Sequence, residues 1–187
     1  SESVYLSTSQ DMSKSWDFAK SALKLSADAY IGLGANLGNP RSTFKKCLSV
    51  IGQYAKIISR SRLYRSEPYG YADQPHFINA ALQISTDLSP LELLYKLQET
   101  EKALGKEVLR KNGPRIIDLD LLLYDDLSLE SEELTLPHPR ILDRDFVLLP
   151  LNDLNPELSH PLWATKTVKS VLSGIRERFV ADNPEPW

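Results

Sequence analysis

Gly113-Pro114-Arg115-Ile116-Ile117-Asp118-Leu119-Asp120-Leu121-Leu122-Leu123-Tyr124-Asp125-Asp126 is the stretch from which the fold is read outward. Its Ile and Leu content, bounded by Gly-Pro before it and Asp125-Asp126 after it, marks a buried strand. Residues two apart on a strand share a face, so Asp118 and Asp120 point the same way, with Ile117, Leu119, Leu121 and Leu123 predicted to cover a core behind them. Desolvating two ionised carboxylates costs several kcal/mol each unless a cation compensates them. A metal ion is the natural compensator. An edge strand with its aspartates facing water fits the same spacing, but Leu122 and Tyr124 continue the aspartate face, which is therefore not simply wet.

Outward from this strand the elements alternate in type. Ala29 to Leu33 reads as a short strand. Gly34-Ala35-Asn36-Leu37-Gly38-Asn39-Pro40 then turns into a helix with Asn39 as N-cap, Pro40 at its first position and Phe44, Leu48, Ile51 and Ala55 as its buried stripe. Ile57 to Tyr64 reads as a second strand and Phe77 to Ser85 as a third, with the loop Ser66 to Pro75 between them. Ser89-Pro90-Leu91-Glu92 is a capping box that opens a helix running to Leu104. The Asp118 strand follows, then a short strand at Leu134 to Leu136 and helical pieces around Ile141 to Leu151 and Thr165 to Arg178. This order predicts an α+β fold with a ferredoxin-like βαββαβ core, a mostly antiparallel sheet with helices packed on it and extra C-terminal helices.

A chain of 187 residues accommodates one such domain with extensions. The expected division is an N-terminal extension over 1–28, flexible or partly helical through Trp16, Phe18, Ala19, Ala22, Leu23 and Leu25, a domain over 29–176 and a polar, proline-bearing tail over 177–187. Hydrophobic and charged contents of 42% and 25% are ordinary globular values, and a net charge of -3 argues against a broad nucleic-acid surface. The lone Cys47 excludes an intrachain disulfide framework and a multi-cysteine zinc site, which makes a reducing compartment the default. No run approaches the roughly 18 apolar residues of a membrane span. The 1–28 arm carries no Arg and bears Glu2, Asp11, Asp17 and Asp28, which disfavours an organelle transit peptide. A soluble, cytoplasmic protein is the expectation, with an organelle left open.

Gly32, Gly34 and Gly38 form G-x-G-x-x-x-G, one residue too long for the dinucleotide fingerprint, so a tight turn is the better reading. In the second helix, Leu94, Leu97, Glu101 and Leu104 fall on one stripe and place a glutamate inward, with Gln98 beside it. Either Glu101 pairs with Lys102 or Lys106, or it looks with Gln98 into a site shared with Asp118 and Asp120. The Gly105 to Arg115 segment carries Lys106, Arg110, Lys111 and Arg115. An exposed loop of ordinary charge explains it, and so does phosphate chemistry: carboxylates hold magnesium, magnesium bridges substrate phosphates, and Lys and Arg cover the remaining charge. His138, between Pro137 and Pro139, and Arg144 are further candidate donors.

Asn112-Gly113-Pro114-Arg115-Ile116-Ile117-Asp118-Leu119-Asp120-Leu121-Leu122 resembles the signature of the 6-hydroxymethyl-7,8-dihydropterin pyrophosphokinase family of folate biosynthesis. Tyr30 to Gly38 is similar to that family's opening strand, Asp73 to Ala81 to its third strand, and Leu136 to Arg140 with Arg144 to Leu148 to its closing block. The resemblance implies transfer of pyrophosphate from ATP to 6-hydroxymethyl-7,8-dihydropterin, releasing AMP, with two Mg2+ ions held by Asp118 and Asp120. Gln98, Glu101, Arg115, Leu121, Thr135, His138 and Arg144 fall on ATP-contact positions. Phe77 and Phe146 match the aromatic pair that sandwiches the pterin, Asn79 the amide that reads its edge, and Ser66, Glu67 and Tyr69 the rest of that pocket. Arg115, His138, Arg110 and Lys106 join the aspartates as implied catalytic groups, with Lys111 also on the closing loop. Asn112 and Pro139 stand where some relatives carry an aromatic and a tyrosine. The implied partners are ATP and a dihydropterin, with a fused or associated folate-pathway enzyme allowed for, no nucleic acid, no membrane, and a monomer as an isolated domain. Two other readings are a different magnesium-dependent nucleotidyl or phosphoryl transferase and a non-catalytic ligand-binding module.

Overall fold

In the computed structural model, described over residues 26–107 and 110–187, the sheet is organised around β1 (Ala27–Ala35). Antiparallel neighbours flank it, β4 (Phe77–Thr86) on one side and β5 (Asp118–Tyr124) on the other. β2 (Lys56–Arg60) and β3 (Tyr64–Ser66) both pair with β4, giving the order β2-β4-β1-β5. With α1 (Pro40–Ile51) and α2 (Pro90–Ala103) as crossovers, this is the ferredoxin-like arrangement the element order predicts. Both helices start as read: the Asn39 side chain accepts from Ser42 N, and Ser89 and Glu92 close a reciprocal capping box.

Strand alternation divides the core into two layers. Ala27, Ala29, Ile31, Leu33 and Ala35 of β1 join Phe44, Cys47 and Ile51 of α1 and Leu93 and Leu97 of α2. Each large aliphatic side chain buried there contributes about 1.5–3 kcal/mol. The opposite face, bearing Tyr30, Ala81, Leu122 and Leu123, meets Leu148 and Leu151 of α3 (Asp145–Leu154) and Val168 of α4 (Val168–Gly174). A two-stranded ribbon, β6 (Leu129–Glu130) with β7 (Thr135–Leu136), lies beside β5. No helix among the described residues is long and apolar enough to cross a membrane.

The structure corrects four sequence-derived expectations. The 1–28 boundary falls inside β1, which begins at Ala27; the expected helix around Trp16 to Leu25 lies outside the described residues. The single strand expected over Ile57 to Tyr64 is broken, because its pairing with β4 shifts between Ile57 and Ser59 and the Ser61 hydroxyl takes the Ala81 N–H at 2.8 Å. Leu123 does not share a core layer with Leu121. Ile31 pairs with Leu121 and Tyr30 with Leu123, so Leu122 is an extra residue in a β-bulge, and Leu122 and Leu123 both serve the second layer while Tyr124 returns to the first.

The fourth correction concerns the supposed tail over 177–187, which is a strap along the free side of β3. Leu63 and Glu185 exchange backbone hydrogen bonds of 2.8 and 3.0 Å, and Ala181 N donates to Arg65 O. Trp187 then closes the strap: its indole N–H donates to Ser61 O, and its ring lies 5.7 Å from that of Phe44. Composition hid this because three apolar anchors, Phe179, Val180 and Trp187, are scattered among polar residues. Pairing also blunts a sheet edge that would otherwise present open backbone groups.

Candidate active site

The sheet face that carries the aspartates is only partly covered by α3, and a cavity of about 330 Å³ opens over the uncovered end of the strands. Antiparallel register builds its floor from two cross-strand rows. Asn79, Gly34 and Asp118 form one; Ala81, Gly32 and Asp120 form the other. The two glycines have ordinary strand conformations, and their contribution is space: a methyl group on Gly34 would stand 3.6 Å from Asn79 Oδ1, above the floor. Ser66, Glu67, Tyr69, Phe77, Arg144 and Phe146 wall the cavity. Asn79 is fixed by donating to Ser66 Oγ (2.7 Å) and Tyr64 O (3.2 Å), which leaves its carbonyl oxygen over Gly34.

A charged cluster lies behind Asp118. Lys106 Nζ bridges Glu101 Oε2 at 2.6 Å and Asp118 Oδ1 at 2.7 Å, and Arg115 Nη1 takes Asp118 Oδ2 at 2.8 Å. Glu101 is 8% exposed and also accepts the Leu119 backbone N–H at 2.9 Å, which ties α2 to β5. Glu101 therefore pairs with Lys106 and is joined to Asp118 through that ammonium, but it does not line the cavity, and Gln98 does not join it there. Burial pushes the Glu101 carboxyl up, against the pull of Lys106 and of the Leu119 N–H. The same burial works against the Lys106 ammonium, but hydrogen bonds to Asp118 and Glu101 outweigh it and hold the group charged. One ammonium shared by two carboxylates, with Arg115 serving Asp118 alone, leaves Glu101 the less well compensated acid.

Asp120 differs from its neighbour. Its carboxylate has no ion pair or hydrogen bond among the described residues. Although its side chain is open to the cavity, the surrounding protein displaces bulk water; this burial, followed by repulsion from Asp118, pushes its pKa up to about 6. The charges of Lys106, Arg144 and Arg115 oppose that rise without cancelling it. Among the described residues, no group of three or more His, Cys, Asp or Glu side chains converges to hold a metal. Two carboxylates on adjacent cross-strand rows are a donor set that suits an oxygen-seeking cation.

His138 lines the same cavity. Its backbone N–H donates to Leu122 O on edge strand β5 (2.9 Å), and its Nδ1 accepts from Arg140 N (3.2 Å), so Nε2 carries the proton in the neutral ring. Burial, followed by the charges of Arg144 and Arg140, holds its pKa below the ordinary histidine value. A second, shallower cavity of about 280 Å³ lies on the other side, lined by Leu94, Leu119, Leu121, Glu133 and Thr135 among others. Asp120 and His138 line both cavities.

Most candidate residues from the sequence therefore converge. Ser66, Glu67, Tyr69, Phe77, Asn79, Arg115, Asp118, Asp120, His138, Arg144 and Phe146 line the larger cavity, and Leu121 and Thr135 the smaller. Gln98 is exposed on α2. Arg110 lies 4.4 Å over the Tyr71 ring and lines neither of these cavities, and Lys111 is exposed. Arg110 is held there because its loop docks on the 70–75 loop: Gln74 Nε2 donates to Asn112 O (2.7 Å), and Asn112, at φ 56°, packs against Gly70. Asn tolerates that left-handed backbone better than an aromatic would. Asn36 went unrecognised in the sequence. It is buried at the end of β1, accepts Arg115 N (2.9 Å) and donates to Gln74 Oε1 and Pro75 O, so one side chain joins three loops around the cavity. A polar residue directly after the apolar β1 run was the available signal.

Fold and cavity together define a class: a ferredoxin-like α+β protein with a carboxylate pair on one open sheet face, one of the two held by Lys106 and Arg115. The chain belongs to the 7,8-dihydro-6-hydroxymethylpterin-pyrophosphokinase (HPPK) family, whose model matches residues 30–156. It is 41% identical over 135 residues to the 2-amino-4-hydroxy-6-hydroxymethyldihydropteridine pyrophosphokinase of Haemophilus influenzae, covering 71% of this chain and 84% of that one. It is also 40% identical over 167 residues to the folic acid synthesis protein fol1 of Pneumocystis carinii, covering 87% of this chain and 22% of that protein. The chain thus spans about a fifth of the length of such larger relatives. The wild-type HPPK-DHPS of Plasmodium falciparum superposes with a TM-score of 0.64 at 17% identity, over 80% of this chain and 44% of that one, which supports the fold.

Proposed function

We propose that this chain transfers pyrophosphate from ATP to 6-hydroxymethyl-7,8-dihydropterin, giving the dihydropterin diphosphate and AMP. The observation that carries the proposal is the sharing of Asp120 and His138 by two cavities, one walled by Phe77, Phe146 and Asn79 and the other by Leu94, Leu121 and Thr135. Two reactants bound on either side meet at those residues. The first cavity suits a flat heterocycle, with aromatic side chains for its faces and the Asn79 amide for its edge. The second suits an adenosine, whose phosphates would run past His138 and Arg115 toward Asp120.

Magnesium bound between Asp118, Asp120 and the nucleotide would neutralise phosphate charge and align the acceptor hydroxyl with the β-phosphorus. The residues of the chain supply position and charge. Arg115, anchored by Asn36 and Gly113, presents a fixed guanidinium, and His138 presents Nε2–H as a neutral donor. Catalysis by such groups is largely orientation and electrostatic stabilisation. A generic phosphoryl transferase would not need the aromatic and amide wall. Named relatives include the folate synthesis bifunctional protein of Arabidopsis thaliana, so the chain is proposed to act alone or joined to another folate-pathway enzyme. A reducing, cytoplasmic setting agrees with the single buried thiol of Cys47.

The test is incubation with ATP, Mg2+ and 6-hydroxymethyl-7,8-dihydropterin. AMP should form only when all three are present. Formation of ADP, or AMP release independent of the pterin, would overturn the assignment.

A further inference from the structure

Phe179 lies on the strap, outside residues 30–156 that match the family, and does not itself line the cavity. Its ring nevertheless meets two residues that do. It stands edge-on to Phe146, with centroids 5.7 Å apart and planes at 86°, and edge-on to Tyr69, at 5.7 Å and 65°. Arg144, on the same wall, places its guanidinium 4.8 Å from the Tyr69 ring and 5.7 Å from that of Phe146. Edge-to-face pairs of this kind fix ring orientation as well as distance.

The backbone of Phe179 is held from both sides of the cavity wall. Its carbonyl accepts the Glu67 N–H at 2.8 Å, on the segment that carries Ser66, Glu67 and Tyr69. Its own N–H, and that of Val180, donate to the carboxylate of Asp145 at 3.0–3.1 Å. Asp145 is 3% exposed and immediately precedes Phe146 on α3. A buried carboxylate receiving backbone donors from the strap is a strong, directional anchor. Phe179 thereby joins the segment after β3 to the start of α3, and these two pieces carry Tyr69 and Phe146 of the cavity wall.

We infer that Phe179 is a positioning residue for the acceptor: by clamping Phe146 and Tyr69 between the strap and Asp145, it sets the affinity of the cavity for the pterin without touching the nucleotide side. This rests on the proposed function, since the ligand it names is the acceptor of that reaction. An aromatic wall that is free to rotate must be ordered when a ligand binds, and that ordering lowers affinity.

The experiment compares the full chain with its Phe179→Ala, Phe179→Leu and Phe179→Tyr variants, measuring equilibrium binding of 6-hydroxymethylpterin and, separately, of ATP with Mg2+. Losing both edge contacts should weaken pterin binding about tenfold in Phe179→Ala, with Phe179→Leu intermediate and Phe179→Tyr close to the parent. ATP binding should stay within about twofold in all of them, and in steady state the loss should fall on the KM for pterin more than on kcat. If Phe179→Ala does not fold, the same split in Phe179→Leu supports the inference. Unchanged pterin binding in the folded Ala or Leu variant, or equal weakening of pterin and ATP, would overturn it while leaving the proposed function standing. Failure of the unsubstituted chain to bind the pterin would remove the proposed function and this inference with it.

Discussion

Lys106 Nζ lies 2.7 Å from Asp118 Oδ1, so a side chain of the protein itself holds one oxygen of the proposed metal pair. A unit charge about 4 Å away at an effective dielectric constant near 20 is worth about 4 kcal/mol before screening and relaxation reduce it. Replacing Lys106 with Met is therefore expected to tighten binding of Mn2+ alone about tenfold, while lowering the thermal midpoint of the metal-free chain because Glu101 and Asp118 lose their shared partner. Calorimetric titration with Mn2+ checks the first effect and a melting curve the second. Equal or weaker Mn2+ binding would show that the ammonium and the cation do not compete.

Asp120 has the opposite character: among the described residues its carboxylate is unpaired, and it lines both cavities. Asp120→Asn keeps its shape and removes its charge. Turnover should fall at least about 100-fold, as expected when a preorganised charge is removed from a transition state, while pterin binding without nucleotide stays nearly intact. Preserved turnover would mean that the metal is held elsewhere.

Gly34 separates stability from binding. Its φ is that of an ordinary strand, and a methyl group there would make only a 3.6 Å contact with Asn79 Oδ1. Gly34→Ala should leave the fold as stable as before or about 0.5 kcal/mol more so, because the unfolded chain loses freedom. The same methyl group rises from the cavity floor and should weaken acceptor binding about tenfold or more. A melting curve paired with a pterin titration checks both halves; unimpaired binding would place the acceptor away from that floor.

The acid limb of stability is expected to depend on Asp153. Its carboxylate accepts Arg62 Nη2 and Tyr64 Oη, each at 2.8 Å, and is 12% exposed. Burial works against the charged form, yet the hydrogen bonds from Arg62 and Tyr64 outweigh it and hold the pKa below the ordinary aspartate value. A depressed acid stabilises the fold at pH above its unfolded value of about 3.9 and loses that contribution as pH falls through the folded value. The parent should exceed Asp153→Asn by about 1 kcal/mol at neutral pH, a figure discounted for the exposure of Arg62. The gap should close in acid. Denaturant curves across pH decide it, and a gap that widened in acid would contradict the assignment.

Particular residues show why much of the fold and site could be read from the sequence. Asn39, Ser89 and Glu92 announce their helices through local chemistry that tertiary packing did not alter. Asp118 and Asp120 are separated by two on a strand, and strand periodicity alone places them on one face. Leu123 was misassigned because a bulge at Leu122 interrupts that periodicity, and a bulge is set by pairing with Tyr30 and Ile31 on a distant strand. Lys106, Asn36 and Phe179 reach Asp118, Arg115 and Glu67, which lie 12, 79 and 112 residues away. Such partnerships exist only once the sheet has formed. Arg110 carried the right charge for a phosphate, but the docking of its loop on Tyr71 decided where that charge lies.

The most direct measurement is the fate of a label on the β-phosphorus of ATP, followed after one turnover with Mg2+ and 6-hydroxymethyl-7,8-dihydropterin. With Asp118 and Asp120 aligning the acceptor on that phosphorus, the label should leave with the pterin and the adenine nucleotide should be unlabelled AMP. Recovery of the label in ADP, with a single phosphate on the pterin or none, would contradict pyrophosphoryl transfer at this site.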